Sequence, residues 1–344
     1  MNKMLGTIRI DSDSTILVTG AAGFIGFHLC LHCLSLGATV IGVDNFNDYY
    51  AVSLKRSRSA LLHSREKYIE YEVDVENESE LFDIFRRSRP DFVIHLAAQA
   101  GVRYSIQNPR AYLNANIVGT FNVIQAVKRT AVKHFLIAST SSVYGASTAP
   151  IFREVDKADN QISFYAATKK ATEMMAHSFS HLDRIPTTVF RFFTVYGPWG
   201  RPDMALQKFA KLIREGEPID VYNMGDMTRD FTYIDDLIGA VVALAGAIPG
   251  ETPLGDFDSL SPVAPFRTVN IGSNAPARLN QFIDVLGAVM GKPVIKNLMP
   301  MQQGDVQSTH ADTTLLKQLI GEIRRTPLET GVANFVEWFE GYYD

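Results

Sequence analysis

TILVTGAAGFIG, residues 15 to 26, is a β-branched and apolar run that empties into three glycines spaced three apart, Gly20, Gly23 and Gly26. It continues directly into GFHLCLHCLSLG, residues 26 to 37, an apolar stretch of helical length. A strand that hands over to a helix through a turn lacking side chains lets backbone approach a pyrophosphate at the helix N-terminus. The stretch therefore predicts a strand, a glycine turn, a helix and a dinucleotide, with Phe24 and Ile25 in the same turn.

About 20 residues on, TVIGVDN ends in Asp44, where a carboxylate accepts both hydroxyls of an adenine ribose. Asp44 would repel a 2'-phosphate, and Asn45, Phe46, Asn47 and Asp48 bring no arginine to receive one, so NAD is favoured over NADP. Asp74, closing YIEYEVDV before Val75, is placed to meet the adenine amino group, and a turn or cap role would suit it too. Leu96, Ala97 and Ala98, at the end of DFVIHLAA, complete the expected cofactor contacts with Asn45 and Val75.

Further out, TILVTG, TVIGVDN, YIEYEVDV, DFVIHLAA, HFLIAST, TTVFRFF and a later TVNIG alternate with helical stretches. Near-continuous apolar strands of this kind are buried on both faces, as in a parallel sheet wrapped by helices. The expected fold is α/β, a doubly wound, Rossmann-like parallel sheet with a smaller, discontinuous C-terminal substrate domain. Residues 14–191 plus about 231–272 are assigned to the first unit, and about 192–230 plus 273–344 to the second. Helices are expected near 205–215, 279–290 and 328–342, and a surface loop over 249–265.

Composition narrows the partners. With 344 residues, 46% hydrophobic and 20% charged, the chain can bury a large core. A formal net charge of -4 and an isoelectric point near 6.1 leave no basic surplus for nucleic acid or an anionic membrane. No apolar run approaches the roughly 20 residues of a membrane span, and MNKMLGTIRIDSD lacks a signal-peptide core. Residues 1–13 read as a loosely held lead-in and the location as cytoplasmic. Cys30 and Cys33 form a CxxC interleaved with His28 and His32, but on an apolar helix small thiols are expected to pack as core, with no metal.

Chemistry enters with YAATK. Tyr165 and Lys169 lie one helical turn apart on one face. A phenol with a pKa of about 10 is a poor base at neutral pH unless a cation favours its ionised form. Lys169 supplies that cation, so Tyr165 can take and return a hydroxyl proton. HFLIASTSSVYG ends in a cluster of hydroxyls; Thr140 is the expected hydrogen-bonding partner of the reacting oxygen, while spacing alone leaves Ser139, Ser141 and Ser142 as alternatives or as strand-end solvation. TTVFRFFTVYGPWGRPDM, residues 187 to 204, sets Thr194 and Arg201 among aromatic, Gly and Pro residues, which suggests an anionic substrate.

GAAGFIG, HLAAQAGVR, STSSVYG, YAATK and RFFTVYGPWGRPDMA together resemble the extended short-chain dehydrogenase/reductase family. NDYY, AGVRYS, GPWGRPDMA and GDMTRDFTYIDD resemble more narrowly its nucleotide-sugar epimerases acting on UDP-glucuronate. The resemblance implies that Tyr165 is the general base, Lys169 its partner and Thr140 the third catalytic residue, with Tyr165 and Lys169 also reaching NAD. It implies a UDP-uronic acid substrate, with Thr194 and Arg201 on its carboxylate and Arg229 on the diphosphate, a surface ion pair with Asp226 or Asp230 being the alternative for Arg229; Arg103 either adds charge near the sugar or braces the loop after HLAAQAG, and Asp305 is a candidate nucleoside contact. Ser141 and Ser142 stand where related dehydratases carry Asp-Glu and decarboxylases Ser-Glu, so no acid is present to expel a hydroxyl. The implied reaction is reversible C4 epimerisation of UDP-glucuronate to UDP-galacturonate through a 4-keto sugar, by a homodimer paired through the helix near Ser163 to Ser180. A decarboxylase and a non-catalytic NAD-binding regulator are the alternatives.

Overall fold

The computed structural model describes residues 9–302 and 306–344; Asp305 and the first eight residues of the expected lead-in lie outside them. Six strands, β1 (Thr15–Thr19), β2 (Thr39–Asp44), β3 (Tyr68–Glu72), β4 (Phe92–His95), β5 (His134–Thr140) and β6 (Thr187–Phe192), join the strand Phe266–Ile271 in one sheet. Its order is Phe266–Ile271, β6, β5, β4, β1, β2, β3, and every pairing is parallel. All seven expected strands are present. Every residue of β4, β5, β6 and Phe266–Ile271 is buried, because helices cover both faces. The strand order reverses between β1 and β4, which opens a crevice at the C-terminal ends of the strands.

Helix α1 (Phe24–Ser35) follows β1 through the glycine turn, α2 (Val52–His63) follows β2, and α3 (Glu78–Ser88) follows β3. On α1, Cys30 and Cys33 are fully buried free thiols in the main core, and burial pushes Cys33 up to about 12. Among the described residues no cluster of His, Cys, Asp and Glu could hold a metal, and no helix is long and apolar enough to cross a membrane. The helix Phe164–Asp183 begins where the Ser163 hydroxyl accepts from the Ala166 amide at 3.2 Å, so its first turns carry Tyr165 and Lys169 at the strand ends.

Beyond β6 the chain forms three two-stranded pairs and the helices Ala205–Glu215, Leu279–Met290 and Leu328–Tyr343. Phe282 stacks on Phe231 at 4.3 Å, and the largest apolar cluster runs from Ile16 and Phe27 through Phe282 to Phe335 and Phe339. One core thus holds the late segments against the sheet. The stretch 249–265 has neither helix nor strand and is tied down where Arg267 donates twice to Asp258, at 2.9 and 2.9 Å.

Candidate active site

A cleft of about 940 Å³ occupies the crevice at the strand ends. Gly20 turns the chain at φ 74°, and a Cβ there would sit 2.9 Å from the Ala97 amide nitrogen. On Gly26 a Cβ would fall onto the Gly20 carbonyl oxygen, so the turn closes only without side chains. Gly23 caps α1 without any side-chain hydrogen bond, and no acidic residue stands in the first turn. The uncapped amides at this helix N-terminus, facing the cleft beside Phe24 and Ile25, fit a pyrophosphate.

The Asp44 carboxylate accepts from the Ala22 amide at 3.0 Å and the Phe46 amide at 2.9 Å, which aims it into the same cleft. Burial raises its pKa, while those amides and the Lys55 ammonium act against the rise. Asp74 lies just beyond β3 rather than within it; it accepts from Asn45 Nδ2 at 2.7 Å and from the Glu76 amide at 2.9 Å. Its turn role and its cleft position therefore coexist. Val75, Leu96, Ala97 and Ala98 line the cleft as well. The donor set suits a nicotinamide dinucleotide with an unphosphorylated adenine ribose. Two cations from α2 lie nearby: Arg56, over the Phe46 ring at 3.8 Å, pairs with Glu72, and Lys55 donates to Asn47.

Thr140 ends β5 and accepts from the Ser142 amide at 3.2 Å. Its own hydroxyl donates to Ser142 Oγ at 3.2 Å, and it lies close enough to the Tyr165 phenol to favour the ionised form. Burial raises the Tyr165 pKa, and the Thr140 hydrogen bond and the Arg201 charge oppose it. Lys169, only 3% exposed, is brought down to about 8 by burial against the pull of Glu173. Glu173 stands one turn further along the helix, where the Ser139 hydroxyl donates to it at 2.6 Å and Arg191 donates twice, at 3.0 and 2.8 Å. Ser139 therefore faces this buried pair, whereas Thr140 meets the phenol, a distinction the hydroxyl cluster could not make by spacing.

At the other end of the cleft lie Arg103, Thr194 and Arg201. Arg201 forks onto Asp203 at 3.0 and 2.5 Å, Tyr49 donates to the same carboxylate at 3.1 Å, and the guanidinium lies 5.8 Å from the Tyr49 ring. Arg103 lies over the Tyr222 ring at 4.8 Å. Arg229 lines an adjoining cavity of about 150 Å³ that shares Val102, Ser141, Ser142 and Thr194 with the cleft, and its Nη1 donates to the Thr228 and Gln307 carbonyls.

Several residues of the site escape the sequence. Asp203 sits two residues from Arg201 within GPWGRPDM, and Tyr49 lies within NDYY, but nothing in either string says that they meet. Asn116 lies in a turn of π-helix, Leu113–Val118, and donates to Gln99 O at 3.1 Å and to Thr168 Oγ1 at 3.0 Å, bracing the helix one residue before Lys169. Only long-range contact reveals it.

A dinucleotide cradle beside a Thr-Tyr-Lys group defines a nicotinamide-dependent oxidoreductase-type site, and the same cleft carries an arginine for an anionic substrate. Residues 16–253 match the model of the NAD dependent epimerase/dehydratase family, and the chain belongs to that family. It is 48% identical over 331 residues to "Probable UDP-glucuronate 4-epimerase" of Rhizobium meliloti strain 1021, covering 95% of this chain and 97% of that one. It is 47% identical to "Protein CapI" of Staphylococcus aureus, over 95% and 99% of the two chains. The crystal structure of UDP-glucuronic acid 4-epimerase from Bacillus cereus, in complex with UDP-glucuronic acid and NAD, matches with a TM-score of 0.86 and 31% identity. That match covers 96% of this chain and all of the other.

Proposed function

We propose that this protein interconverts UDP-glucuronate and UDP-galacturonate by inverting C4, with NAD held by Gly20, Gly23, Gly26, Asp44, Asn45 and Asp74. The observation that carries the reading is one cleft holding the glycine turn, Thr140, Tyr165 and Lys169 together with Arg201. NAD, when bound, accepts a hydride from C4 and gives it back, so no net oxidation remains. Tyr165 Oη takes the C4 hydroxyl proton and later returns it, and Thr140 holds the reacting oxygen in line with the phenol. Lys169, with a pKa of about 8, stays mostly protonated at neutral pH and favours the ionised phenol.

The 4-keto sugar formed on the way is a β-keto acid and loses carbon dioxide if its C–C bond aligns with the carbonyl. Thr194 and Arg201 hold the carboxylate out of that alignment. Arg201 keeps donors to spare for it, because Asp203 engages only its Nε and Nη2. Arg103 adds charge near the sugar and Arg229 serves the diphosphate from the adjoining cavity; the nucleoside contact of Asp305 remains part of the proposal, outside the described residues.

The same reading divides the chain into a cofactor unit, 14–191 plus about 231–272, and a substrate unit, about 192–230 plus 273–344. It places the protein in the cytoplasm as a homodimer paired through the helix Phe164–Asp183. Phe164, Met174 and Leu182 on that helix are exposed, as is Phe121 beside it, whose ring lies 6.3 Å from that of Phe179.

The deciding experiment incubates the purified protein with UDP-glucuronate and separates the products by anion-exchange chromatography with mass detection. UDP-galacturonate at unchanged mass is the expected product. A UDP-pentose lighter by carbon dioxide would make the protein a decarboxylase, and no turnover would leave the regulator reading standing.

A further inference from the structure

Arg58 is one of the largest side chains in the core, with no exposed surface, and it lies outside the cleft. Nη1 donates to the Ala22 carbonyl at 2.9 Å and to the Tyr50 hydroxyl at 2.8 Å. Nη2 donates to the Trp199 carbonyl at 2.6 Å and the Gly200 carbonyl at 3.1 Å. All of these partners are neutral oxygens, and Nε has none. Burying a guanidinium among neutral groups is costly, and two parallel forks of hydrogen bonds offset that cost only where both sets of oxygens stay in place.

The two sets belong to the two ends of the site. Ala22 lies in the glycine turn, and its amide holds the Asp44 carboxylate. Trp199 and Gly200 immediately precede Arg201. Their loop is otherwise under strain: Trp199 adopts φ 59°, a left-handed conformation unfavourable for an aromatic residue. Three further contacts fix it there. His28, kept neutral at pH 7 by burial that takes its pKa down to about 4, donates from Nε2 to the Pro198 carbonyl at 3.0 Å. The Trp199 ring packs against Phe27 of α1 at 5.5 Å and against Trp338 at 5.4 Å. The arginine loop is thus seated on α1, the helix that follows the dinucleotide turn, and on α2, which carries Arg58.

We propose that Arg58 is a positioning residue that couples the dinucleotide turn to the loop carrying Arg201, so that a carboxylate held by Arg201 and the cofactor held by the turn stabilise each other's binding. A shift of the turn moves the Ala22 carbonyl, and the rigid guanidinium plane passes that shift to the Trp199 and Gly200 carbonyls. By reciprocity, fixing Arg201 on a carboxylate fixes the turn. The proposal rests on the uronate reading of the Arg201 site.

The test measures release of bound NAD from the full-length protein, by exchange against labelled NAD, in a Tyr165→Phe background where no chemistry occurs. Saturating UDP-glucuronate is compared with saturating UDP-glucose, which differs in lacking the carboxylate. Coupling predicts that UDP-glucuronate slows release at least about fivefold more than UDP-glucose does. In Arg58→Lys, whose single ammonium cannot span both forks, that ratio falls to near one while thermal melting still shows a folded protein. Should the lysine variant not fold, Arg58→Gln, which keeps two donors for one fork, gives the same reading. A ratio near one in the parent, or a ratio unchanged in the folded variant, overturns the coupling even if UDP-glucuronate is epimerised by the Tyr165 enzyme. Absence of any UDP-glucuronate turnover overturns the functional reading itself, and the coupling with it.

Discussion

Tyr165 and Lys169 announce themselves by their spacing, but their environments come from residues far away in sequence. Thr140 and Arg201 oppose the rise that burial imposes on the phenol, and Glu173 opposes the fall imposed on Lys169. Replacing Tyr165 with Phe removes the proton carrier and leaves the ring packed 6.0 Å from Tyr112, so kcat should fall by about 10²–10⁴ with melting temperature little changed. Steady-state kinetics beside a thermal melt checks this. Glu154 makes a second residue-scale prediction. Burial raises its pKa to about 7, with nearby Asp312 adding to the rise and the Asn270 amide and Arg191 opposing it. A carboxyl raised in the folded state binds extra protons between about 4.5 and 7, so its contribution to stability is full below that window and is lost as pH rises through it. Glu154→Gln keeps the acceptor for the Asn270 amide and cannot ionise. It should therefore flatten the decline in stability between pH 5 and 7.5 by about 1–3 kcal/mol, read from denaturant melts at the two pH values.

At the scale of elements, the strand ends and the loop 197–203 do different work. The strands fix Thr140 and the helix Phe164–Asp183 fixes Tyr165 and Lys169, so these groups are stiff. The loop is held by carbonyl contacts from α1 and α2 and by the Arg201–Asp203 pair, in which neighbouring guanidinium charge keeps Asp203 below the usual carboxylate range. Arg201→Ala removes the charged end of this loop and leaves Asp203 in the cleft without its counter-ion. It should raise the KM for UDP-glucuronate by about tenfold or more and increase the fraction of UDP-pentose lighter by carbon dioxide. Product analysis and initial rates on the same sample measure both. Unchanged affinity and product ratio would take Arg201 out of the substrate site.

Across the whole molecule, one apolar core joins the sheet to the late helices, and the long helix Phe164–Asp183 shows both a catalytic and an exposed apolar face. If that face pairs two copies, Met174→Glu, at a side chain about half exposed, places a charge in the interface and not in the core. Sedimentation should then shift from dimer toward monomer with the monomer's melting behaviour preserved in outline. A variant that stays dimeric places the interface elsewhere.

The glycine turn, Asp44, the seven alternating strands and the Tyr165–Lys169 pair were legible because each depends on local spacing: apolar period, the absence of a Cβ, or one helical turn. These determine the fold and the kind of cofactor cradle. That Ser139 turns to Glu173, that Arg201 is forked onto Asp203, that Arg229 opens on an adjoining small cavity, and that Arg58 spans two loops were decided only by the tertiary structure. Arg58 and the Gly200 carbonyl are 142 residues apart, and Ser139 and Glu173 are 34 apart. A hydrogen bond between such groups exists only once strands and helices have packed, because its strength depends on distance and desolvation that no local pattern encodes.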